Sequence, residues 1–203
     1  MDTPWPISNT RRMTNAVPFR PALAAVLALL TIVVTFTKST PASAQQPIRA
    51  SEAFKQLTGL VGTWDVTERD NPNTKEVANY SLTGGGSVLA EDLRAPDGTA
   101  NAMGHMYTTY YMDKDQLVLT HFCGAGNQPR MRAKAVADGG TRIVFEMYDI
   151  TNLATPESFH SESLEVIFLS RVRVDLVYHG TRGPSPGAKS EQVFQLTRRT
   201  AAL

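Results

Sequence analysis

His121 and Cys123 stand two residues apart in Leu117-Val-Leu-Thr-His121-Phe-Cys123, a stretch whose alternation predicts a strand with both side chains on one face. Imidazole and thiolate are zinc and copper ligands, and His105 or His160 would be the candidate third donor. A core histidine hydrogen-bonded beside a small buried cysteine explains the same pair without a metal. None of the ligand-spacing motifs of known sites occurs, so neither a metal nor any other cofactor is expected. A second chemistry needs only proton transfer. His121 and His160 titrate near neutrality, and Tyr107, Tyr110, Tyr111 and Glu146 would add donors and a carboxylate, enough for an isomerase, hydratase or lyase. Tyrosines are also favoured in strands simply for packing.

The segment Gly124-Ala-Gly-Asn127-Gln128-Pro129-Arg130 closes that strand with a polar group of Asn127, Gln128 and Arg130. Binding residues concentrate on loops at a barrel mouth, which makes this segment the leading candidate to fix the polar end of a ligand, although Asn127 also suits a turn. Neither this loop nor Gly84-Gly-Gly contains Gly-Lys-Ser/Thr or opens a helix, so phosphate binding is not indicated. No Gly-x-Ser-x-Gly or His-Glu-x-x-His is present, and hydrolysis has no support.

The elements that must position these residues are nearly all strands. Ser51 to Gly59 carries a capping serine, apolar residues at Phe54 and Leu57 and a terminal glycine, and predicts a short helix. From Gly62 onward the period becomes two. Ten strands are predicted: 63–68, 76–82, 87–93, 104–112, 116–122, 131–136, 142–148, 164–168, 172–178 and 191–197. Most of the links suit hairpins. The fold class expected is all-β, an antiparallel up-and-down barrel of about 8–10 strands with a short N-terminal helix, because closure removes the edges of a long meander. Trp64, Val66 and Glu68 would face inward, as would Leu117, Leu119, His121 and Cys123, and Val172, Val174, Leu176 and Tyr178. A competing two-sheet sandwich would fill its interior, whereas a barrel of this size has room for one small ligand. Arg171 and Arg173 would lie on the outer face.

The helix running into Leu60-Val-Gly62-Thr-Trp64, together with Phe194-Gln-Leu-Thr-Arg198-Arg199 at the last strand, resembles the calycin superfamily of lipocalins, fatty-acid-binding proteins and nitrobindin-like haem barrels. The resemblance implies that Gly62 and Trp64 close the barrel bottom and that Arg198 or Arg199 packs over the indole. The stretch 117–131 is also similar to an uncharacterised group of exported bacterial lipocalin-like barrels, over most of residues 52–199. No disulfide pair is present, unlike classical lipocalins. Nitrobindin-like barrels use a histidine near the chain end to hold haem; the nearest equivalent, His179, has a parity that points it outward.

Length and composition frame these readings. The 203 residues are 42% hydrophobic, with 20 basic and 19 acidic side chains, a balance that excludes the basic footprint of a nucleic-acid binder. Cys123 is the single cysteine, so no internal disulfide can form. Pro21 to Phe36 is uncharged, follows Arg11, Arg12 and Arg20, and leads to Ala42-Ser43-Ala44, the order of a secretory signal cleaved before Gln45. The expected organisation is a signal peptide at 1–44 and a lipocalin-like barrel at 45–203. Losing four basic and one acidic side chain moves the formal charge from +1 to −2. The mature protein would be periplasmic or secreted, with no stable membrane span. Its expected partner is a small hydrophobic or amphipathic molecule held in the interior, with His121, Asn127, Gln128, Arg130 and Tyr110 as candidate contacts. The alternatives are a cofactor-independent enzyme using His121 and His160, and a haem-binding barrel.

Overall fold

A computed structural model of the chain describes residues 49–99, 104–181 and 189–199, so the expected signal peptide at 1–44 lies outside the described residues. Ten strands follow one helix: β1 (Gly62–Glu68), β2 (Asn71–Thr83), β3 (Val88–Arg94), β4 (Met106–Asp113), β5 (Gln116–Phe122), β6 (Gln128–Ala137), β7 (Arg142–Thr151), β8 (His160–Phe168), β9 (Arg173–Thr181) and β10 (Lys189–Arg198). Each pairs antiparallel with its sequence neighbours, and β1 pairs with β10 to close the barrel. The alternating pattern dictates this arrangement: each strand has one apolar face, and closure buries all ten faces while pairing every backbone edge.

The short links at one end are tight hairpins. Gly84-Gly-Gly and Asp138-Gly-Gly form the same turn, with positive φ at all three positions of each, a conformation that glycine adopts without steric cost. Ser87 and Thr141 donate their hydroxyls back to the carbonyls of Gly84 and Asp138, at 2.7 and 2.8 Å. The other end carries the segments 95–99, 123–127 and 152–159 and forms the mouth.

Several expectations are adjusted. β8 begins at His160 rather than 164 and β6 at Gln128 rather than 131, so His160, Gln128 and Arg130 are strand residues. β2 begins at Asn71 and runs through Pro72, because a proline at the start of a strand forfeits no ladder bond that the strand needs. The helix α1 is Ala50–Leu57, continued by a 3-10 turn at Thr58–Leu60; Ser51 sits inside its first turn and Arg49 occupies the cap position. Val172 is 45% exposed rather than inward, since the tight turn 169–172 ends before β9 begins.

α1 and its 3-10 turn cover the closed end. The Trp64 indole is 1% exposed and donates to the Leu60 carbonyl at 2.7 Å. The Arg198 guanidinium stacks on that indole with its carbon 4.2 Å from the ring centre. The same group donates to the carbonyls of Val61 (2.8 Å), Gly59 (2.5 Å) and Arg171 (3.2 Å), tying the entry to β1 to the last strand. Gly62 lies directly beneath it, and a Cβ there would stand 3.0 Å from Arg198 Nη1. Arg199 points elsewhere and pairs with Asp65 at 2.6 Å. Leu57, Leu60, Leu89, Leu117, Leu119, Ile143, Phe145 and Leu164 fill the closed half of the lumen. Among the described residues, no helix is long and apolar enough to cross a membrane.

Arg198→Ala is expected to destabilise the barrel by about 3 kcal/mol, combining charge-assisted hydrogen bonds with the lost stacking. Arg198→Lys should recover only a small part, because an ammonium cannot reach three carbonyls from above the ring. Urea unfolding measures both, and wild-type stability in the alanine variant would contradict this role for Arg198.

Candidate functional site

The mouth half of the lumen is built differently from the closed half. Tyr80 faces Glu91 across β2 and β3, Glu91 faces Thr108 across β3 and β4, and Thr108 faces His121 across β4 and β5. Directly opposed residues on antiparallel strands share a face, so this is one continuous row of polar side chains on the inner wall. Glu91, Thr108 and His121 are 2%, 2% and 5% exposed. They border a cavity of about 20 Å³ whose remaining walls include Leu93, Met106, Cys123, Phe159, Leu176, Tyr178, Gln192 and Phe194. That is room for a water molecule, which needs about 10–15 Å³.

Hydrogen bonds join members of this wall. The Tyr110 hydroxyl donates to Glu91 Oε2 at 3.1 Å, and Thr108 Oγ1 lies 2.9 Å from His121 Nδ1. Tyr178 reaches across the lumen from β9, its ring 5.6 Å from the imidazole and 6.0 Å, edge on, from Phe194. Among the described residues His121 Nε2 has no hydrogen-bond partner. Deeper in the barrel, Tyr110 and Phe145 meet with ring centres 6.0 Å apart.

Burial controls the protonation of these groups. It pushes the Glu91 carboxyl up to about 7, and the nearby Glu76 adds to the effect, while the hydroxyls of Tyr80, Tyr110 and Thr108 pull it back. Burial alone pushes the His121 imidazole down to about 4, so it is neutral at physiological pH. Tyr80, Tyr110 and Tyr178 are all driven upward by burial first and by the Glu91 charge second, and remain protonated hydrogen-bond donors.

Of the residues singled out from the sequence, His121, Cys123 and Tyr110 belong to this region. Cys123 borders the cavity, its thiol pushed upward by burial, and Tyr110 serves Glu91 from a fully buried position. His160 does not join His121. The neighbouring Ser161 lines the cavity, which turns His160 to the other side of β8, where Nδ1 is bonded to the Ser158 carbonyl at 2.7 Å. Asn127 is 3% exposed and braces the mouth, its side-chain amide donating to the Phe159 carbonyl at 2.7 Å while its backbone carbonyl accepts from the Cys123 amide at 3.0 Å. Gln128 bridges Gly126 and Thr151 at the rim, and Arg130 pairs with Asp149 on the outer wall. The polar loop therefore shapes the mouth without lining the cavity. Tyr107, Tyr111 and Glu146 are on the outside: Tyr107 packs on Phe122, Tyr111 meets Thr120, and Glu146 meets Lys134.

Glu91 escaped the sequence reading, although Leu89-Ala-Glu91-Asp-Leu93 places it at the inward parity between two leucines. A carboxylate in an apolar row was the available signal. Thr108 gave none, because its importance comes from its neighbours on two other strands.

Among the described residues no three His, Cys, Asp or Glu side chains gather closely enough to hold a metal ion. His179, the histidine nearest the chain end, lies outside the barrel between Glu165 at 3.5 Å and Glu191 at 3.8 Å.

No family model matches the sequence, and no curated protein does. Among solved structures, the chain is similar to the crystal structure of Rv2717c from M. tuberculosis at 15% identity, over 73% of this chain and 98% of that chain, with a TM-score of 0.48.

The two shifted groups oppose each other in pH-dependent stability. Glu91 is raised from 4.5 to about 7, so its contribution is full below 4.5 and is lost as pH rises through 7. His121 is lowered from 6.5 to about 4, so its contribution is full above 6.5 and is lost as pH falls through 4. Between these limits the slopes largely cancel, and single variants unmask them. Relative to wild type, Glu91→Gln should lose stability on acidification from pH 6.5 and His121→Gln on alkalinisation towards pH 7, each by up to about 1.4 kcal/mol per pH unit. Chemical denaturation at stepped pH measures this, and parallel profiles for all three proteins would contradict the assignment.

Proposed function

We propose that this protein is an exported, lipocalin-like carrier that holds a small amphipathic molecule in the mouth half of its barrel. The observation that carries the reading is the row Glu91–Thr108–His121 on a mostly apolar inner wall, ending in a cavity-lining His121 whose Nε2 has no hydrogen-bond partner among the described residues. Buried polar groups cost stability, and a barrel selected only for stability would place aliphatic side chains there. The ligand's polar end would bond His121 Nε2, and its apolar part would lie against Leu93, Leu176 and Phe194. The resting cavity is smaller than such a ligand. The walls that give way are Met106, whose unbranched side chain repacks readily, and Phe159, on the irregular segment before β8. Export rests on the charge, apolar run and small-residue order of residues 11–44, and kinship with calycins on the Gly62–Trp64–Arg198 arrangement.

Acid–base catalysis on the same barrel is the second reading, favoured by the Glu91 carboxyl poised at about 7 beside the cavity. Glu91 would then be the proton-transferring group, in place of a His121–His160 pair.

Native mass spectrometry and thermal shift with small alcohols, phenols and indoles test the carrier reading. A bound mass and a rise in Tm are expected for wild type, and both are expected to vanish in His121→Phe, which fills the cavity. Equal behaviour of the two proteins would sink the proposal.

A further inference from the structure

The hydrogen-bonding row specifies more than a polar spot, because its members differ in what they can donate. We propose that Glu91, acting through the Thr108 hydroxyl, holds His121 as the Nδ1–H tautomer, so that Nε2 presents a lone pair to the cavity and selects ligands carrying a hydroxyl donor. The selection half rests on the interior-site reading above; the tautomer half does not.

A threonine hydroxyl has one proton to give and lone pairs to accept with. An ionised carboxylate only accepts. Glu91 and His121 are the cross-strand neighbours of Thr108 on its two sides, and all three point into the lumen. With Glu91 ionised, the Thr108 proton goes to the carboxylate, and Oγ1 can engage His121 Nδ1, 2.9 Å away, only by accepting from an Nδ1–H. A neutral imidazole with its proton on Nδ1 carries a bare lone pair on Nε2. The remaining groups facing Glu91 reinforce the polarity: Tyr110 donates to it from β4 at 3.1 Å, and Tyr80 and Glu76 from β2 and Tyr178 from β9 lie around it. Tyr110 donates to the carboxylate, and the Tyr178 hydroxyl, which also reaches Thr108, is a weaker acceptor than an ionised carboxylate and does not take the Thr108 proton from it.

The chemical consequence is a choice of ligand class. A small phenol or alcohol can donate to Nε2, whereas its methyl ether or a ketone of the same shape would set lone pair against lone pair and leave a buried acceptor unpaired. One hydrogen bond of this kind is worth about tenfold in affinity. Glu91 and Thr108 are therefore positioning residues, and His121 is the group that touches the ligand.

The tautomer is read from ¹⁵N NMR of histidine-labelled protein at pH 8.5, where Glu91 is ionised, without any ligand. The expected spectrum for His121 has a protonated Nδ1 and an unprotonated Nε2. In Thr108→Val the preference is expected to be lost, and Thr108→Ser should restore it, separating the hydroxyl from the packing. Titration with phenol and with anisole under the same conditions should show phenol bound about tenfold more tightly by wild type and by the serine variant, with the ratio collapsing toward one in the valine variant. A protonated Nε2 in wild type overturns the proposal and leaves the interior site standing if phenol still binds. The expected tautomer with neither phenol nor anisole bound overturns the interior-site reading and the selectivity with it. If the valine variant does not fold, wild-type tautomer and the phenol-to-anisole ratio still decide the matter.

Discussion

The pairing of β1 with β10 is the constraint on which the other features depend. It joins the first and last strands of a meander in register from Trp64–Arg198 to Glu68–Phe194, and in doing so removes both free edges of the sheet. Closure also creates an inside. Once the sheet is a barrel, alternate residues of every strand leave water together, and each polar group among them must find a partner from the wall. The Trp64–Arg198 stack holds this junction at its end, with three carbonyls of the entering and turning chain gathered on one guanidinium.

The enclosed space is divided by composition. Toward α1 the lumen is filled with leucine, isoleucine and phenylalanine and makes the ordinary hydrophobic contribution to stability. Toward the mouth the same inward parity carries glutamate, threonine, histidine and tyrosine. Glu91, Thr108, Tyr110 and His121 are linked to one another, so the state of one member sets the state of the next. The neutral imidazole and the carboxyl near neutrality are both products of that enclosure, since burial is the first cause of each.

Much of this fold can be read from the chain. Ten segments of period two with turn residues between them give ten strands, and the Gly62-Thr-Trp64 segment marks where the barrel begins. Position in a strand also places His121 and Cys123 inside and His179 outside. What resists reading is lateral. Glu91, Thr108 and His121 are 17 and 13 residues apart in sequence, and only the register of three strands makes them neighbours. The same limit explains the segment 124–130: its polar residues are conspicuous in sequence, but Asn127 turns to the Phe159 carbonyl, and Gln128 and Arg130 already belong to β6, turning to the rim and to Asp149. Local composition marked a mouth, while the inner wall beneath it was assembled by pairing across strands.

The most direct test of an interior binding site is a crystal structure of the protein grown with phenol. The expected map shows the phenol inside the barrel, its oxygen within about 2.7–3.2 Å of His121 Nε2, with Met106 and Phe159 moved from their resting positions. An interior holding only water, with phenol confined to the outer surface, would contradict the site.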